Sequence, residues 1–160
     1  MNIIQMLPAH WPDVKRIYEE GIATQNATFE TSCPVWEKWN ASHLPHSRWI
    51  ALIDTKVAGW AALSPVSDRC VYGGVAEVSI YVGSDLRGQG IGKGLMNRMI
   101  KSSEENGLWT LNSATFPENT ESIMLHIKCG FREIGYRERI GQLDGIWRNT
   151  VLMERRSLGF

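Results

Sequence analysis

The chain has no surplus of charge of either sign. Its 17 Lys and Arg balance 17 Asp and Glu, so the formal net charge at pH 7 is zero. Binding to nucleic acid or to an anionic membrane surface rests on an excess of Lys and Arg, so neither partner is expected. Cysteine is scarce as well. Cys33, Cys70 and Cys129 are odd in number and far apart, with no Cys-x-x-Cys and no Cys/His cluster. That leaves no support for a disulfide framework or a zinc site, so no metal is expected, and a reducing cytoplasm suits the free thiols. No apolar run approaches the ~20 residues that cross a bilayer. Met1 to Met6 is apolar but short, lacks a basic start and meets Pro8, so a strand is expected there rather than a signal peptide. Repeats, low-complexity segments and linkers are also absent, and 160 residues are expected to form one domain, 1–160, with a core of its own.

What is present alternates between two periods. Asn2–Met6, Arg48–Ile53, Val57–Leu63, Val75–Val82, Thr110–Phe116, Phe131–Gln142 and Ile146–Glu154 read as strands. Helical spacing runs through Val14, Ile17, Tyr18, Gly21 and Ile22, then from Pro34 to before Pro45, over Gly90–Asn106, and from Asn119 to Gly130. Asp144-Gly145 joins the last two strands as a hairpin. The order βααβββαβαββ predicts an α+β fold, a mixed sheet with helices on both faces. Seven Trp are many for this length, and some are expected to face a second subunit.

Arg87-Gly88-Gln89-Gly90-Ile91-Gly92-Lys93-Gly94 is the most informative stretch. It follows an apolar strand and opens a helix whose Ile91, Leu95, Met96, Met99 and Ile100 form one stripe. Glycines let backbone N–H groups approach a ligand closely, and the helix start adds unpaired donors and a positive dipole end. The geometry suits a phosphate or pyrophosphate. A P-loop would need Lys followed by Ser or Thr. A dinucleotide fingerprint would need G-x-G-x-x-G after the first strand of the chain. Neither pattern is met.

The R-x-x-G-x-G pattern made by Arg87, Gly90 and Gly92 resembles the pyrophosphate loop of the GCN5-related N-acetyltransferases (GNAT superfamily), and the element order is similar to theirs along the whole chain. The resemblance implies the acyl-CoA N-acyltransferase fold, with a mostly antiparallel sheet, and acetyl-CoA as co-substrate. It places Ile80, Tyr81, Val82, Arg87, Gly88, Gln89, Gly90, Ile91, Gly92 and Lys93 along the cofactor. Backbone N–H groups near Val82 would receive the thioester carbonyl. Asn119, Ser122 and His126 share one helical face by their spacing. They resemble the family's N-x-x-S-x-x-x-[YH] segment, where Asn and Ser contact the cofactor and a Tyr often acts as general acid. His126 stands at that last position, either as a proton donor to the leaving thiolate or as a packed helix residue, with water as the other donor.

Acetyl transfer needs a neutral amine, whereas an amine near pH 7 is mostly protonated, so a base is required. Glu77 is the candidate, because Glu is depleted in apolar strands. Glu77-x-Ser79-x-Tyr81-Val82 resembles the phosphinothricin and methionine sulfone N-acetyltransferase branch. So do Thr28-Phe29-Glu30-Thr31, Arg69-x-x-Tyr72 and Gly145-x-Trp147-Arg148. The branch implies a small amine acceptor bound by Phe29, Arg69, Tyr72, Glu77 and Trp147, with Arg69 gripping an acid group, and it implies a homodimer. Acetylation of a protein N-terminus, a lysine or a polyamine, and a non-catalytic acyl-CoA sensor, stand as alternatives.

Overall fold

The two periods resolve into seven strands and four helices. The computed structural model describes every residue from Met1 to Phe160. The order is β1 (Asn2–Gln5), α1 (Trp11–Ala23), α2 (Trp36–Ser42), β2 (Trp49–Ile53), β3 (Lys56–Pro65), β4 (Val75–Val82), α3 (Ile91–Glu105), β5 (Thr110–Thr115), α4 (Thr120–Lys128), β6 (Arg132–Leu143) and β7 (Ile146–Arg156). Each expected element is present, with ends displaced by a residue or a few. One sheet holds all the strands in the order β1-β2-β3-β4-β5-β7-β6. Every neighbouring pair is antiparallel except β4 and β5. The expected α+β acyltransferase architecture is therefore observed.

Alternation along the strands divides the core in two. Ala76, Val78, Ile80 and Val82 of β4 face the larger cluster with Ile91, Leu95, Met96, Met99 and Ile100 of α3 and Ile123 and Leu125 of α4. The predicted α3 stripe is buried in full. Tyr81 of β4 turns to the other face, where Val14 and Ile17 of α1, Trp39 of α2 and Trp60 of β3 pack. β3 is apolar on consecutive residues because it is covered on both faces, and Val57 through Leu63 are all buried. The tryptophans mostly serve this second cluster: Trp11, Trp36, Trp39 and Trp60 contact one another, and Trp147 is the one tryptophan that is largely exposed.

Loop chemistry sets the element ends. Asp144 and Gly145 form a two-residue turn with φ of 48° and 79°, the doubly positive pair that matches strand twist in a tight hairpin. The resulting β6–β7 ribbon packs onto β5 through β7.

A glycine inside a helix needs a reason, and α1 provides one at Gly21. A Cβ there would lie 2.6 Å from the Tyr81 ring. That ring is held between Tyr18 and Trp60, with centroids 4.9 Å away in each case. In an open helix Gly→Ala gains about 1 kcal/mol. Here overpacking of roughly 1–3 kcal/mol reverses the sign. Gly21→Ala is expected to lower the urea midpoint; a rise would show that Tyr81 can move aside.

Candidate active site

The parallel pairing of β4 with β5 covers only Val75–Glu77 against Thr110–Asn112. Beyond it both strands continue, β4 to Val82 and β5 to Thr115, without pairing. A cavity of about 1190 Å³ occupies the opening. Its walls include Glu77 to Val82, Ser113 to Phe116, the loop and helix start at Arg87–Lys93, and the first turns of α4.

The phase of the β3–β4 ladder decides what β4 offers to this opening. The Gly83 N–H donates to the Ala58 carbonyl, 2.9 Å. Bonded residues alternate in an antiparallel pair, so Tyr81 and Ser79 also turn their backbone groups toward β3. The Val78 N–H closes the last rung of the β5 ladder, while the Val78 C=O and the N–H and C=O groups of Ile80 and Val82 turn into the cavity, where no strand receives them. Their side chains pack on α3 and the side chains of Glu77, Ser79 and Tyr81 lie on the α1 face. One strand thus presents backbone donors at its edge and a carboxylate on its face.

At the α3 end, Gly90 precedes the first helical turn in the left-handed conformation, φ 81°, with no side-chain cap. The first N–H groups of α3 therefore lack intrahelical partners. Gly88 is also left-handed, φ 76°, and a Cβ on either glycine would meet nothing within 4 Å. Their α-carbons face open space that a ligand can fill. Arg87 and Lys93 add positive charge beside these donors, and Arg87 makes no hydrogen bond or ion pair within the protein. The donor set fits a pyrophosphate. Gln89 belongs to the same loop but does not line the cavity.

α4 closes the opposite side. The Asn119 side chain accepts from the Ser122 N–H at 3.2 Å, a helix cap, and its amide donates to the Asn26 carbonyl. Ser122 and His126 border the cavity one and two turns on. His126 is 2% exposed, and its Nδ1 lies 2.6 Å from the Ser122 carbonyl oxygen. A carbonyl only accepts, so Nδ1 carries the proton. Burial holds the imidazole pKa below its usual 6.5, and Nε2 is buried without a partner. The neutral ring therefore has no proton at Nε2 to deliver. Of the two readings of His126, this is the arrangement of the packed helix residue.

Glu77 opens into the cavity. The surrounding protein still excludes enough water to raise its carboxyl above the usual 4.5, and the Arg137 charge partly offsets this. Phe29 also lines the cavity, edge-on to Phe116 at 4.9 Å between centroids. Three other expected acceptor residues do not. Arg69 and Tyr72 sit together on the β3–β4 loop, guanidinium over ring at 5.5 Å, and Tyr72 borders a separate, smaller cavity. Trp147 is turned away because side chains alternate along β7, and its ring is covered by Arg139.

The next residue, Arg148, takes the inward place. It donates to the Gln25 carbonyl at 2.7 Å and to Asn26 Oδ1 at 3.2 Å, pairs with Glu118, and lies 3.9 Å over the Phe116 ring. Thr28, of the expected Thr28–Thr31 loop, lines the cavity, and so does Tyr18, which the sequence offered only as a helix-face residue. The Tyr18 hydroxyl is pushed up to about 12, first by burial and then by the Glu30 charge, so it remains protonated.

Residues 9–131 match the model of the acetyltransferase (GNAT) family. The chain belongs to this family. Members with solved structures superpose closely. A phosphinothricin acetyltransferase from Sinorhizobium meliloti, solved in complex with AcCoA, has a TM-score of 0.88 at 25% identity and covers 97% of this chain and 87% of that one. A ribosomal-protein-alanine N-acetyltransferase from Brucella melitensis has a TM-score of 0.90 at 26% identity, covering 98% and 100%. In sequence, the phosphinothricin N-acetyltransferase of Alcaligenes faecalis is 32% identical over 153 residues, 90% of this chain and 76% of that protein. As a GNAT acetyltransferase the chain uses acetyl-CoA as co-substrate, and the β4–β5 opening with its Arg87–Lys93 loop has the donors to hold it. No helix is long and apolar enough to cross a membrane.

The protonation state of His126 has a measurable consequence. Unfolded, its pKa returns toward 6.5; folded, it lies lower. As pH falls through 6.5 the unfolded chain takes up a proton that the folded chain refuses, so stability declines until the folded pKa is passed. His43 and His46 are also depressed, chiefly by burial, and act in the same direction. Urea midpoints between pH 7.5 and 5 should fall less steeply for His126→Gln than for the wild type. Equal slopes would mean that folding does not shift the His126 imidazole.

Proposed function

We propose that this enzyme transfers acetyl to the α-amine of a small amino acid or amino-acid analogue, of the phosphinothricin, methionine sulfone or methionine sulfoximine type. The observation that carries the reading is Glu77. It is a carboxylate with raised proton affinity, on the strand whose edge offers free N–H groups, in the cavity that the Arg87–Lys93 loop also lines. A base poised upward in pKa accepts an ammonium proton more readily than an ordinary surface Glu. The Alcaligenes and Sinorhizobium relatives named for phosphinothricin support the acceptor class.

Each group then has a task. Acetyl-CoA, when bound, supplies an acyl group activated as a thioester. The Arg87–Lys93 loop, with Asn119 and Ser122 across the opening, holds and orients it. The Ile80 and Val82 N–H groups face the opening where they can donate to an acyl oxygen as its negative charge grows. Glu77 removes the amine proton, directly or through water. Water, rather than His126, returns a proton to the departing sulfur. Phe29 and Phe116 wall the acceptor end, and Arg148 braces the Phe116 ring. A second reading keeps this chemistry and moves it to a protein N-terminus; the Brucella relative, named for ribosomal-protein alanine, supports it. A pure acyl-CoA sensor would have no use for Glu77.

One sheet running from Asn2 to Arg156 supports reading residues 1–160 as one domain. Three free cysteines, with Cys70 exposed, suit a reducing cytoplasm. We further propose a homodimer. β6 is an edge strand, and Ile134, Tyr136, Ile140, Ile146 and Trp147 of the ribbon are exposed apolar residues.

Glu77→Gln should reduce kcat by roughly a hundredfold to ten-thousandfold, the range for losing a general base, while calorimetric acetyl-CoA affinity stays within a few-fold. Unchanged turnover with a methionine sulfone acceptor would remove the base assignment. Light scattering at micromolar concentration should give a dimer for the wild type and a monomer for Tyr136→Glu/Ile140→Glu. A monomeric wild type would overturn the dimer.

A further inference from the structure

The acceptor end of the cavity has carboxylates in excess. Glu30 and Glu77 line it, and Glu118 is already paired with Arg148. These groups suit the amine of an amino acid, but the acceptor also carries an acid group. Arg69, the residue expected to bind that group, lies on Tyr72 outside the cavity. Arg148 is committed to Gln25, Asn26, Glu118 and the Phe116 ring.

Most of the remaining arginines are committed elsewhere. Arg16, Arg48, Arg98, Arg132, Arg155 and Arg156 have hydrogen-bond or ion-pair partners. Arg139 covers Trp147. Two guanidinium groups have neither a hydrogen bond, an ion pair nor an aromatic ring. One is Arg87, in the pyrophosphate loop. The other is Arg137.

Arg137 is on β6, directly opposite Thr150 of β7. Directly opposed residues project on the same face of a sheet, with Cβ atoms about 5 Å apart. Thr150 lines the cavity. Following the registers from β7 through β5 to β4, Thr150, Leu152, Asn112 and Glu77 share that face. Arg137 is also the last regularly paired residue before the ladder shifts between Arg137 and Gly141, where Arg139 has φ of 49°. Bulges of this kind bend a strand and re-aim its side chains. Arg137 is exposed and, like Arg69, is not among the residues that line the cavity, but its positive charge is felt at the Glu77 carboxyl.

We infer that Arg137 is the specificity residue for the acid group of the acceptor, an uncommitted fork that binds a carboxylate while the amine faces Glu77. A planar guanidinium offers two parallel donors to a carboxylate, which fixes orientation as well as charge. Its place on the Glu77 face puts the guanidinium on the same side of the sheet as the carboxylate that the amine meets. The inference rests on the α-amino-acid reading above and names the residue that enforces it.

The test compares methionine sulfone with its carboxamide, which keeps the amine and loses the negative charge. Wild type, Arg137→Gln and Arg137→Lys are assayed by thiol release, with Arg139→Gln as the control. Binding of the acid is followed in parallel by calorimetry, to protein saturated with an unreactive acetyl-CoA analogue. The wild type should prefer the acid. Arg137→Gln should lower kcat/KM for the acid tenfold to a hundredfold, mainly through KM, as expected for a lost charged hydrogen bond, and the amide should change under threefold. Arg137→Lys should recover part of the loss, and Arg139→Gln should preserve the acid-to-amide ratio. Equal losses on acid and amide, or none, would overturn the Arg137 assignment and leave the acceptor class standing. A wild type that neither binds nor acetylates the acid, yet acetylates the amide or a peptide amine, would overturn both.

Discussion

The site depends on one short ladder. β4 and β5 are the only parallel neighbours in the sheet, and they stay together for three residue pairs. A longer ladder would spend the Ile80 and Val82 backbone groups on β5 and leave no opening. A shorter one would give the β6–β7 ribbon, which reaches the sheet only through β5, nothing to hold it beside the first four strands. Buried backbone N–H groups left without partners cost free energy unless something pairs them. The edge of β4 is thus prepared for a ligand that can behave as a strand. The α3 loop supplies the same kind of unpaired donor at the far end, for the phosphates.

Much of this could be read from the chain because local chemistry dictates it. The Arg87–Gly94 loop demands an anion through its glycines and helix start, wherever the rest of the fold goes. Helical spacing foretold the buried stripe of α3, and Asp144-Gly145 foretold the turn that it makes. Glu77 stood out because a carboxylate in an apolar strand needs a use. Each of these inferences rests on residues within a dozen positions of one another.

The acceptor end was harder, because it is assembled from distant parts. Trp147 and Arg148 are neighbours in sequence, but strand alternation sends them to opposite faces, and the face depends on the register of β7 against β5 and β6. Arg69 looks suited to an acid group until the β3–β4 loop is placed, where it closes on Tyr72. His126 has the right spacing for a proton donor; its hydrogen bond to Ser122, one turn back, assigns its proton elsewhere. Arg137 carries no local signal, and only the tertiary placement of the other arginines sets it apart.

The bonds that hold the acceptor wall connect the two ends of the chain. Gln25 reaches Asp144, and Arg148 reaches Gln25 and Asn26, across separations of 119 to 123 residues. These are mostly exposed polar contacts, unlike the buried packing beneath β4. Such contacts close long loops, which carries a larger entropy cost than the local pairing of a hairpin. In the finished protein they can also break without disturbing either core cluster. The wall is therefore the more loosely held side of the cavity: a few hydrogen bonds join loop to hairpin, while the strand that carries Glu77 is fixed by core packing beneath it.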